Sequence, residues 1–206
     1  MSTAKKSVLL IILILLIDQI TKLYIKLNFR LGESVEVFSW FQILFIENEG
    51  MAFGMKFFGS YGKFFLSLFR LIAIGALGYY IYKLIQRQAR EGYVLTVAAI
   101  LAGAAGNLID SLFYGLLFSE SNYLQTAVFL PEGGGYAPLF FGKVVDMLYF
   151  PLIRNASGET LFFSPVFNIA DSAITVSVFL LLIFFRKDLN ENFEKPDKNI
   201  ADASKR

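Results

Sequence analysis

The chain has 206 residues, of which 56% are hydrophobic, and its 19 basic and 17 acidic side chains leave a formal net charge of +2. This composition is too apolar for a water-soluble domain of this size and indicates a membrane protein. Histidine and cysteine are both absent from the sequence, which excludes disulfides, thiol nucleophiles, Ser-His-Asp triads and histidine-ligated zinc. Acid–base chemistry therefore falls to Asp, Glu, Lys or Tyr, and no basic patch indicates a nucleic-acid partner.

Four apolar blocks are each long enough to cross a hydrocarbon core of about 30 Å, which requires roughly 20 helical residues. They predict a polytopic α-helical membrane protein in which residues 1–186 form a single integral-membrane domain. No small-residue cleavage site follows the first block, so we expect a retained helix rather than a signal peptide. Ser164 and Pro165 are a suitable N-cap and first residue for the fourth helix. The predicted helices span about residues 7–26, 64–84, 93–112 and 165–185.

Basic residues beside the helices predict the orientation, because cytoplasmic ends are enriched in Lys and Arg. They place both termini in the cytoplasm, and the segments at about 28–62 and 113–164 on the extracytoplasmic side. The tail at 187–206 is polar and nearly free of aromatic residues, which predicts a disordered cytoplasmic tail. The basic residues that carry the orientation are Lys83, Arg87 and Arg90 between helices two and three, and Arg186 and Lys187 after helix four.

The outer segments contain runs that favour β-structure. Residues 35–46 alternate partly and are rich in β-branched and aromatic types, which predicts a small extracytoplasmic sheet, a β-cradle at the membrane surface. Residues 144–150 form a similar run that contains one charge, Asp146. The sequence Pro-Glu-Gly-Gly-Gly at 131–135 indicates a flexible loop.

Several polar residues interrupt the predicted helices. Asp18 and Lys22 are four residues apart and can pair on one helix face, as a structural ion pair or as part of a site. Small residues recur at every fourth position before Asp110, which indicates that this face approaches another helix and that Asp110 points into the bundle. Asn107 and Asp110 lie three residues apart, where both a structural and a substrate-binding role remain open. The recurring small residues are Ala98, Ala102 and Gly106.

The predicted topology brings four aspartates to one depth near the outer membrane boundary: Asp18, Asp110, Asp146 and Asp171. Two carboxylates held close together cannot both ionise, so one retains a proton while the other activates water, as in aspartic peptidases. Placement alone leaves another reading open, in which the aspartates serve structure or proton translocation in a small membrane transporter or proton-conducting protein. A transporter predicts acidic residues near the membrane midplane, whereas Asp146 lies outside the predicted helices.

Five short motifs together resemble lipoprotein signal peptidase, the type II signal peptidase of bacteria. The sequence has no Gly-x-Gly-Asp motif and predicts no more than four spans, which argues against a prepilin-type or presenilin-type peptidase. The motifs are residues 18–22 (DQITK), 48–54 (NEGMAFG), 103–110 (GAAGNLID), 144–146 (VVD) and 167–171 (FNIAD).

The resemblance implies roles for individual residues. Asp146 and Asp171 correspond to the catalytic dyad, and no metal or cofactor is implied. Asp18 and Lys22 are assigned a structural polar role. The residues implied to bind substrate or shape the site are Asn48, Gly50, Asn107, Asp110, Asn168 and Ala170.

The resemblance also implies a substrate and a location. The substrate is a prolipoprotein whose cysteine carries diacylglycerol, cut on the amino side of that cysteine by a monomeric, multi-pass protein surrounded by lipid in the bacterial inner membrane. Two departures from the family pattern stand out: Ser111 replaces an Arg that many members have, and the outer segment at 113–145 is longer than usual. Arg70, about two turns into helix two, is a candidate for the missing positive charge beside Asp110.

Overall fold

The computed structural model describes residues 1–49, 61–154, 160–162 and 165–194. Its bundle consists of long apolar helices, and the third of them ends in a π-helical turn, Asp110–Tyr114. The helices are α1 (Thr3–Asn28), α2 (Gly62–Gln86), α3 (Glu91–Ile109), α4 (Gly115–Leu117), α5 (Ile169–Phe184) and α6 (Arg186–Glu194).

Within the described residues, three helical spans are long and apolar enough to cross a membrane: Thr3–Asn28, Gly62–Gln86 and Glu91–Leu117. The fourth apolar helix, Ile169–Phe184, has 16 residues, so it rises only about 24 Å. Large apolar side chains such as Ile12, 48% exposed, face outward, as lipid-facing residues do. The expectation of a polytopic α-helical membrane protein is confirmed.

The fourth helix begins later than the sequence predicted. Asn168 is its N-cap: the Asn168 side chain accepts a hydrogen bond from the Asp171 N–H at 2.9 Å, and the Asp171 carboxylate accepts one from the Asn168 N–H at 3.3 Å. This reciprocal capping box starts the helix at Ile169 instead of Pro165. Ser164, the expected N-cap, lies outside the described residues.

Helix α3 is the central helix, and its small residues allow close approach of its neighbours, as expected. Ala98 and Ala102 are fully buried. A Cβ added to Gly103 would lie 2.4 Å from the carbonyl oxygen of Ala170, at the start of α5. A Cβ added to Gly106 would lie 2.6 Å from a carboxylate oxygen of Asp18 on α1. Glycine at these two positions therefore lets α1 and α5 pack directly against α3.

A small antiparallel sheet covers one end of the bundle, and its strand order is β1-β2-β3-β6. Its third strand places Asp146 opposite Ile46. This confirms the sheet that the sequence predicted, and residues 35–46 lie in its first hairpin. The strands are β1 (Ser34–Phe38), β2 (Phe41–Asn48), β3 (Val144–Tyr149) and β6 (Val166–Phe167), with a separate pair, β4 (Ile153–Arg154) and β5 (Thr160–Phe162).

The long outer segment between α4 and β3 is fastened to the rest of the molecule by backbone hydrogen bonds. The Tyr136 N–H donates to the Phe118 carbonyl at 3.0 Å, and the Gly142 N–H donates to the Ser111 carbonyl at 2.9 Å. The glycines predicted to form a flexible loop make a compact turn here. A Cβ on Gly135 would lie 2.0 Å from the Gly115 carbonyl oxygen, so only glycine fits there.

The start of the predicted disordered tail is helical. Residues 186–194 form α6, and Leu189 packs against the apolar cluster at the ends of α2 and α3. Asp188 lies 3.7 Å from Arg90. An apolar contact and a charge pair therefore order a segment whose composition alone favours disorder. Residues 195–206 lie outside the described part of the chain.

Candidate active site

Asp146 lies in the middle of β3 and is only 2% exposed. The side-chain amide of Asn168 donates to Asp146 Oδ1 at 2.7 Å, and the amide of Asn48 donates to Asp146 Oδ2. Burial raises the pKa of Asp146 to about 7, the negative charge of Asp171 adds to this effect, and the Asn168 hydrogen bond opposes it. Asp146 therefore carries a proton on a substantial fraction of molecules near neutral pH.

Asp171 lies in the first turn of α5, on the other side of Asn168. Its Oδ1 accepts a hydrogen bond of 2.7 Å from the side-chain amide of Asn107 on α3. Its Oδ2 accepts the capping hydrogen bond from the Asn168 N–H. Asn168 thus contacts both aspartates, and a second bond from its amide to Asn107 Oδ1, at 3.1 Å, connects α3, the start of α5 and β3.

A buried lysine, Lys22, contacts two carboxylates and the side chain of Asn107. Lys22 is fully buried, and its Nζ lies 2.9 Å from Asp18 Oδ2 and 2.9 Å from Asp110 Oδ2. It also donates to Asn107 Oδ1 at 2.9 Å. Asp18 in turn accepts a hydrogen bond of 2.9 Å from the Ala170 N–H. The Asp18–Lys22 pair therefore positions both Asn107 and the start of α5, beside the two aspartates but not in contact with them.

Asp110 connects the π-helical turn to the strand that carries Asp146. Its Oδ2 accepts from the Val145 N–H at 3.3 Å, and its Oδ1 accepts from the Gln19 side chain at 3.0 Å. It is fully buried. Because Val145 precedes Asp146, this contact fixes the position of the carboxylate on β3. The π-helical geometry at Asp110 fits a general pattern, since such turns are frequent at functional sites.

The structure brings together nearly all the residues that the sequence singled out. Gly50 lies outside the described residues. The residues that meet are Asp18, Lys22, Asn48, Asn107, Asp110, Asp146, Asn168, Ala170 and Asp171.

Sequence reasoning missed two contributors to the site. Gln19 donates to Asp18, Asp110 and the Gly106 carbonyl, and its Oε1 accepts from Tyr114 at 3.2 Å. Its amide inside an apolar helix was the available signal. Lys63 was left outside the predicted second helix, although it lies in the first turn of α2.

Arg70, the candidate for a positive charge beside Asp110, donates a hydrogen bond to Ser111, the residue that follows Asp110. Arg70 Nη1 donates to Ser111 Oγ at 3.3 Å, and Lys63 Nζ donates to the same oxygen at 3.0 Å. Two cations from α2 therefore converge on the residue that replaces the usual Arg.

Comparison with known proteins gives a consistent result. The profile of the signal peptidase (SPase) II family matches residues 10–187. The lipoprotein signal peptidase of Porphyromonas gingivalis is 44% identical over 191 residues, covering 88% of this chain and 83% of that protein. That of Amoebophilus asiaticus is 33% identical, covering 89% and 79%. A solved structure described as a bacterial membrane enzyme superposes with a TM-score of 0.62 at 26% identity, covering 94% of both chains.

A bundle of apolar helices with buried carboxylates and amides beneath a small sheet defines a membrane-embedded protein with a carboxylate site, and the family match makes its class a membrane aspartic peptidase. The family match narrows this class further, over most of the chain. The chain belongs to the signal peptidase II family. This membership favours a peptidase over the transporter that residue placement alone left open.

Proposed function

We propose that this chain removes signal peptides from prolipoproteins, cutting on the amino side of a cysteine that carries diacylglycerol, with Asp146 and Asp171 as the catalytic pair. The names of its relatives support the substrate. One observation carries the assignment of the pair: Asn168 contacts both aspartates, at 2.7 Å to Asp146 and at 3.3 Å to Asp171. Two carboxylates held this way suit peptide hydrolysis without a thiol, an imidazole or a cofactor.

The chemistry divides between the two carboxyl groups. The ionised carboxylate takes a proton from a water molecule, whose oxygen then attacks the scissile carbonyl carbon. The protonated carboxyl group gives its proton to the carbonyl oxygen, which forms a tetrahedral intermediate. Cleavage of the carbon–nitrogen bond follows as a proton passes to the leaving amine. The raised pKa of Asp146 suits the proton-donating role near neutral pH.

The surrounding amides are proposed to bind substrate and shape the site. Asn48 on β2 and Asn107 on α3 each donate a side-chain amide to one aspartate, Asn48 to Asp146 and Asn107 to Asp171. Asp110 and Ala170 shape the site through backbone hydrogen bonds. The Asp110 carboxylate accepts from the Val145 N–H of β3, and the Ala170 N–H at the start of α5 donates to Asp18. Gly50 belongs to the same proposed set by its motif.

The proposed orientation places the sheet outside the cytoplasm, with the protein acting as a monomer among the lipids of the bacterial inner membrane. Charged contacts at the opposite end of the bundle support it. There Lys6 pairs with Glu91 at 2.7 Å and Arg90 lies 3.7 Å from Asp188, among the basic residues that mark a cytoplasmic face. The lipid on the substrate cysteine then remains in the bilayer while water reaches the scissile bond from outside.

The test is cleavage of a diacylglyceryl-modified prolipoprotein by purified protein in detergent or lipid. Asp146→Asn and Asp171→Asn preserve side-chain shape and remove acid–base capacity, so each is expected to lose cleavage by at least about 10³-fold. Asp188→Asn, at the opposite end, is the matched control and is expected to cleave normally. Folded wild-type protein without cleavage contradicts the function, and an active Asp146→Asn or Asp171→Asn contradicts the catalytic pair.

A further inference from the structure

Glu47, the residue before the last in β2, forms a buried ion pair with Lys26 in the last turn of α1. The Lys26 side chain is fully buried, and that of Glu47 is 2% exposed. Ser121, in the long outer segment at 118–143, completes the contact. Its hydroxyl accepts from Lys26 Nζ at 3.0 Å and donates to Glu47 Oε1 at 3.0 Å. These three residues, the Glu47 cluster, therefore join α1, β2 and the outer segment.

The outer segment also encloses the Glu47 cluster with aromatic rings and a second lysine. Lys26 Nζ lies 5.4 Å from the centre of the Phe118 ring and 5.1 Å from that of the Tyr136 ring. Lys143 Nζ lies 3.9 Å from Glu47 Oε2. Aromatic faces and opposite charges at such distances stabilise charged groups that have left water. The outer segment, whose length departs from the family pattern, thus helps to hold a carboxylate of the sheet in one position.

Glu47 and its neighbour Asn48 point to opposite faces of the sheet, because side chains alternate along a strand. Glu47 lies opposite Val145 of β3, which is fully buried in the apolar core. Asn48 faces the other way, and its side-chain amide donates to the carboxylate of Asp146. The end of β2 therefore carries a buried ion pair on one face and an amide of the candidate active site on the other.

The end of β2 has one neighbouring strand and not two within the residues that the structure describes. The ladder between β1 and β2 ends at the pair of Ser34 with Leu44. Residues 46–48 of β2 pair with residues 144–146 of β3 alone. A strand end with one neighbour has fewer backbone hydrogen bonds to hold it. The ion pair of Glu47 with Lys26 connects this end to a helix.

We propose that Glu47 is a positioning residue: its contacts with Lys26 and Ser121 hold the end of β2 where the Asn48 amide reaches Asp146. The inference rests on the proposed function and adds to it a role for the long outer segment. That segment supplies Ser121, which bridges the two charges of the cluster. Glu47 itself acts from the opposite face of the sheet and takes no part in bond making or proton transfer.

The physical reason is the dependence of a hydrogen bond on geometry. A hydrogen bond weakens steeply when its angle or distance departs from the preferred values. A hydrogen bond to a charged group is worth enough to change a rate or an equilibrium by roughly 10- to 100-fold. A displacement of about 1 Å that originates away from the reacting atoms can likewise cost roughly 10²-fold in rate. A shift at the end of β2 is therefore expected to reach the reaction through Asn48.

The first test is a double-mutant cycle on the rate of cleavage, measured in single turnovers, with Glu47→Gln, Asn48→Ala and the double variant. Glu47→Gln is expected to lower the rate by about tenfold. Because Glu47 acts through Asn48, the double variant is expected to be no slower than Asn48→Ala. Ser121→Ala is expected to lower the rate by less than Glu47→Gln does. Glu36→Gln, which removes an exposed carboxylate from β1 of the same sheet, is the matched control and is expected to cleave normally.

The second test is the pH dependence of kcat/KM, because its sign separates positioning from a direct effect of charge. The Asn48 hydrogen bond lowers the pKa of Asp146, so its loss in Glu47→Gln is expected to move the basic limb up, by about one pH unit at most. Removal of the negative charge of Glu47 would by itself ease the ionisation of Asp146 and move that limb down. Three further charged groups that act on Asp146 are retained in every variant: Asp171 of α5, Lys22 of α1 and Arg70 of α2.

The outcomes separate this inference from the proposed function. If Asp146→Asn is inactive but the losses of Glu47→Gln and Asn48→Ala multiply in the double variant, the inference is wrong and the catalytic pair stands. A basic limb that stays in place or moves down in Glu47→Gln also overturns it, and this limb decides if Asn48→Ala is too slow to follow. A wild-type rate in Ser121→Ala overturns the role of the outer segment. If Asp146→Asn remains active, the proposed pair itself fails.

Folding of each variant is checked by thermal unfolding in detergent. Glu47→Gln leaves the buried Lys26 without its carboxylate partner, which destabilises the fold. If that variant is unfolded, Lys26→Met/Glu47→Gln takes its place in both tests, because it leaves no unpaired charge in the cluster. The expected direction is the same: a slower reaction that Asn48→Ala does not slow further, and a basic limb that moves up.

Discussion

Asn168 donates its side-chain amide to Asp146 at 2.7 Å while its backbone N–H donates to the carboxylate of Asp171 at 3.3 Å. Asn168 follows the last strand of the sheet and caps α5, so one capping box sets the separation of the two aspartates. The same residue caps the helix and contacts both aspartates, so a substitution that removes the cap also changes the site.

Substitutions at Asn168 are expected to separate these two roles. Asn168→Ala removes both the cap and the amide bridge, and we expect loss of cleavage together with a decrease of about 1–2 kcal/mol in the free energy of unfolding. Asn168→Ser keeps a capping oxygen, so stability is expected to recover more than cleavage does. Thermal unfolding and the cleavage assay measure the two effects. Equal recovery of both quantities in Asn168→Ser argues that the amide bridge to Asp146 has no role of its own.

Asp146 is expected to make stability depend on pH. Its pKa is raised to about 7 in the folded protein, against an ordinary value of 3.8, so the folded protein binds more protons than the unfolded chain between these two pH values. The contribution of Asp146 to the free energy of unfolding is then fully present below about pH 4 and is lost as the pH rises toward 7. Asp146→Asn removes the cost of ionisation, which is on the order of a few kcal/mol. We therefore expect this variant to unfold at a higher temperature than wild type at pH 8, with a smaller difference at pH 5.

That comparison includes its own control, because both proteins are measured at both pH values. The loss of a carboxylate acceptor for the Asn48 and Asn168 amides affects the variant at every pH. Only the part of the difference in unfolding temperature that changes with pH reports the ionisation of Asp146. A difference in unfolding temperature that stays constant from pH 5 to pH 8 contradicts the raised pKa.

Lys22 is expected to be essential for stability. Lys22→Met leaves the buried carboxylates of Asp18 and Asp110 without their cation, and breaking a buried pair this way costs about 3–5 kcal/mol. Lys6→Met is the matched control on the same helix, since Lys6 forms an exposed pair with Glu91 at 2.7 Å. Exposed pairs contribute little, so unfolding of this control is expected to change only slightly. Similar unfolding temperatures for the two variants argue against a structural role for the buried triad.

The close packing of α3 and α5 is tested by adding a single methyl group. Gly103→Ala places a Cβ 2.4 Å from the Ala170 carbonyl oxygen, and we expect a loss of at least about 2 kcal/mol in stability because the backbone of α5 must shift. Gly75→Ala is the control, because a Cβ at Gly75 meets nothing within 4 Å. That change is expected to stabilise α2 by about 0.5–1 kcal/mol. Thermal unfolding measures the stability of both variants. Destabilisation by Gly75→Ala contradicts the expected difference between the two positions.

Cleavage by Gly103→Ala provides a second readout of the same packing. The start of α5 carries both Ala170 and Asp171, so a shift of its backbone moves a member of the proposed pair. We expect slower cleavage by folded Gly103→Ala than by folded Gly75→Ala. Equal rates indicate that α5 accommodates the methyl group without moving Asp171.

The long helices were predictable because their signal is local. A run of about 20 apolar residues predicts a membrane helix whatever lies elsewhere in the chain. The start of α5 was not predictable this way, since Pro165 suits a helix start and only pairing of Val166 and Phe167 with β3 diverts the chain into a strand. The order in α6 was missed for a similar reason, because it depends on contacts of Leu189 with α2 and α3.

The site shows the same division. Asp146 and Asp171 were found as a pair through motifs, and the carboxylates of Asp18 and Asp110 through their position in apolar helices. The contributions of Gln19 and Lys63 were not predicted, although Gln19 interrupts an apolar run and Lys63 immediately precedes one. Polarity marks such residues in the sequence, but it does not say which partner each will meet.

The sequence by itself determined the membrane class, the approximate helices, the absence of thiol and imidazole chemistry and the motifs of the family. These properties depend on composition and on spacing along one segment. Tertiary structure alone decided that Asn168 bridges two aspartates, that Lys22 serves two carboxylates, and that α2 delivers Arg70 to Ser111. Those contacts join residues far apart in the chain, and they depend on how each helix is rotated and how closely glycine allows its neighbours to approach.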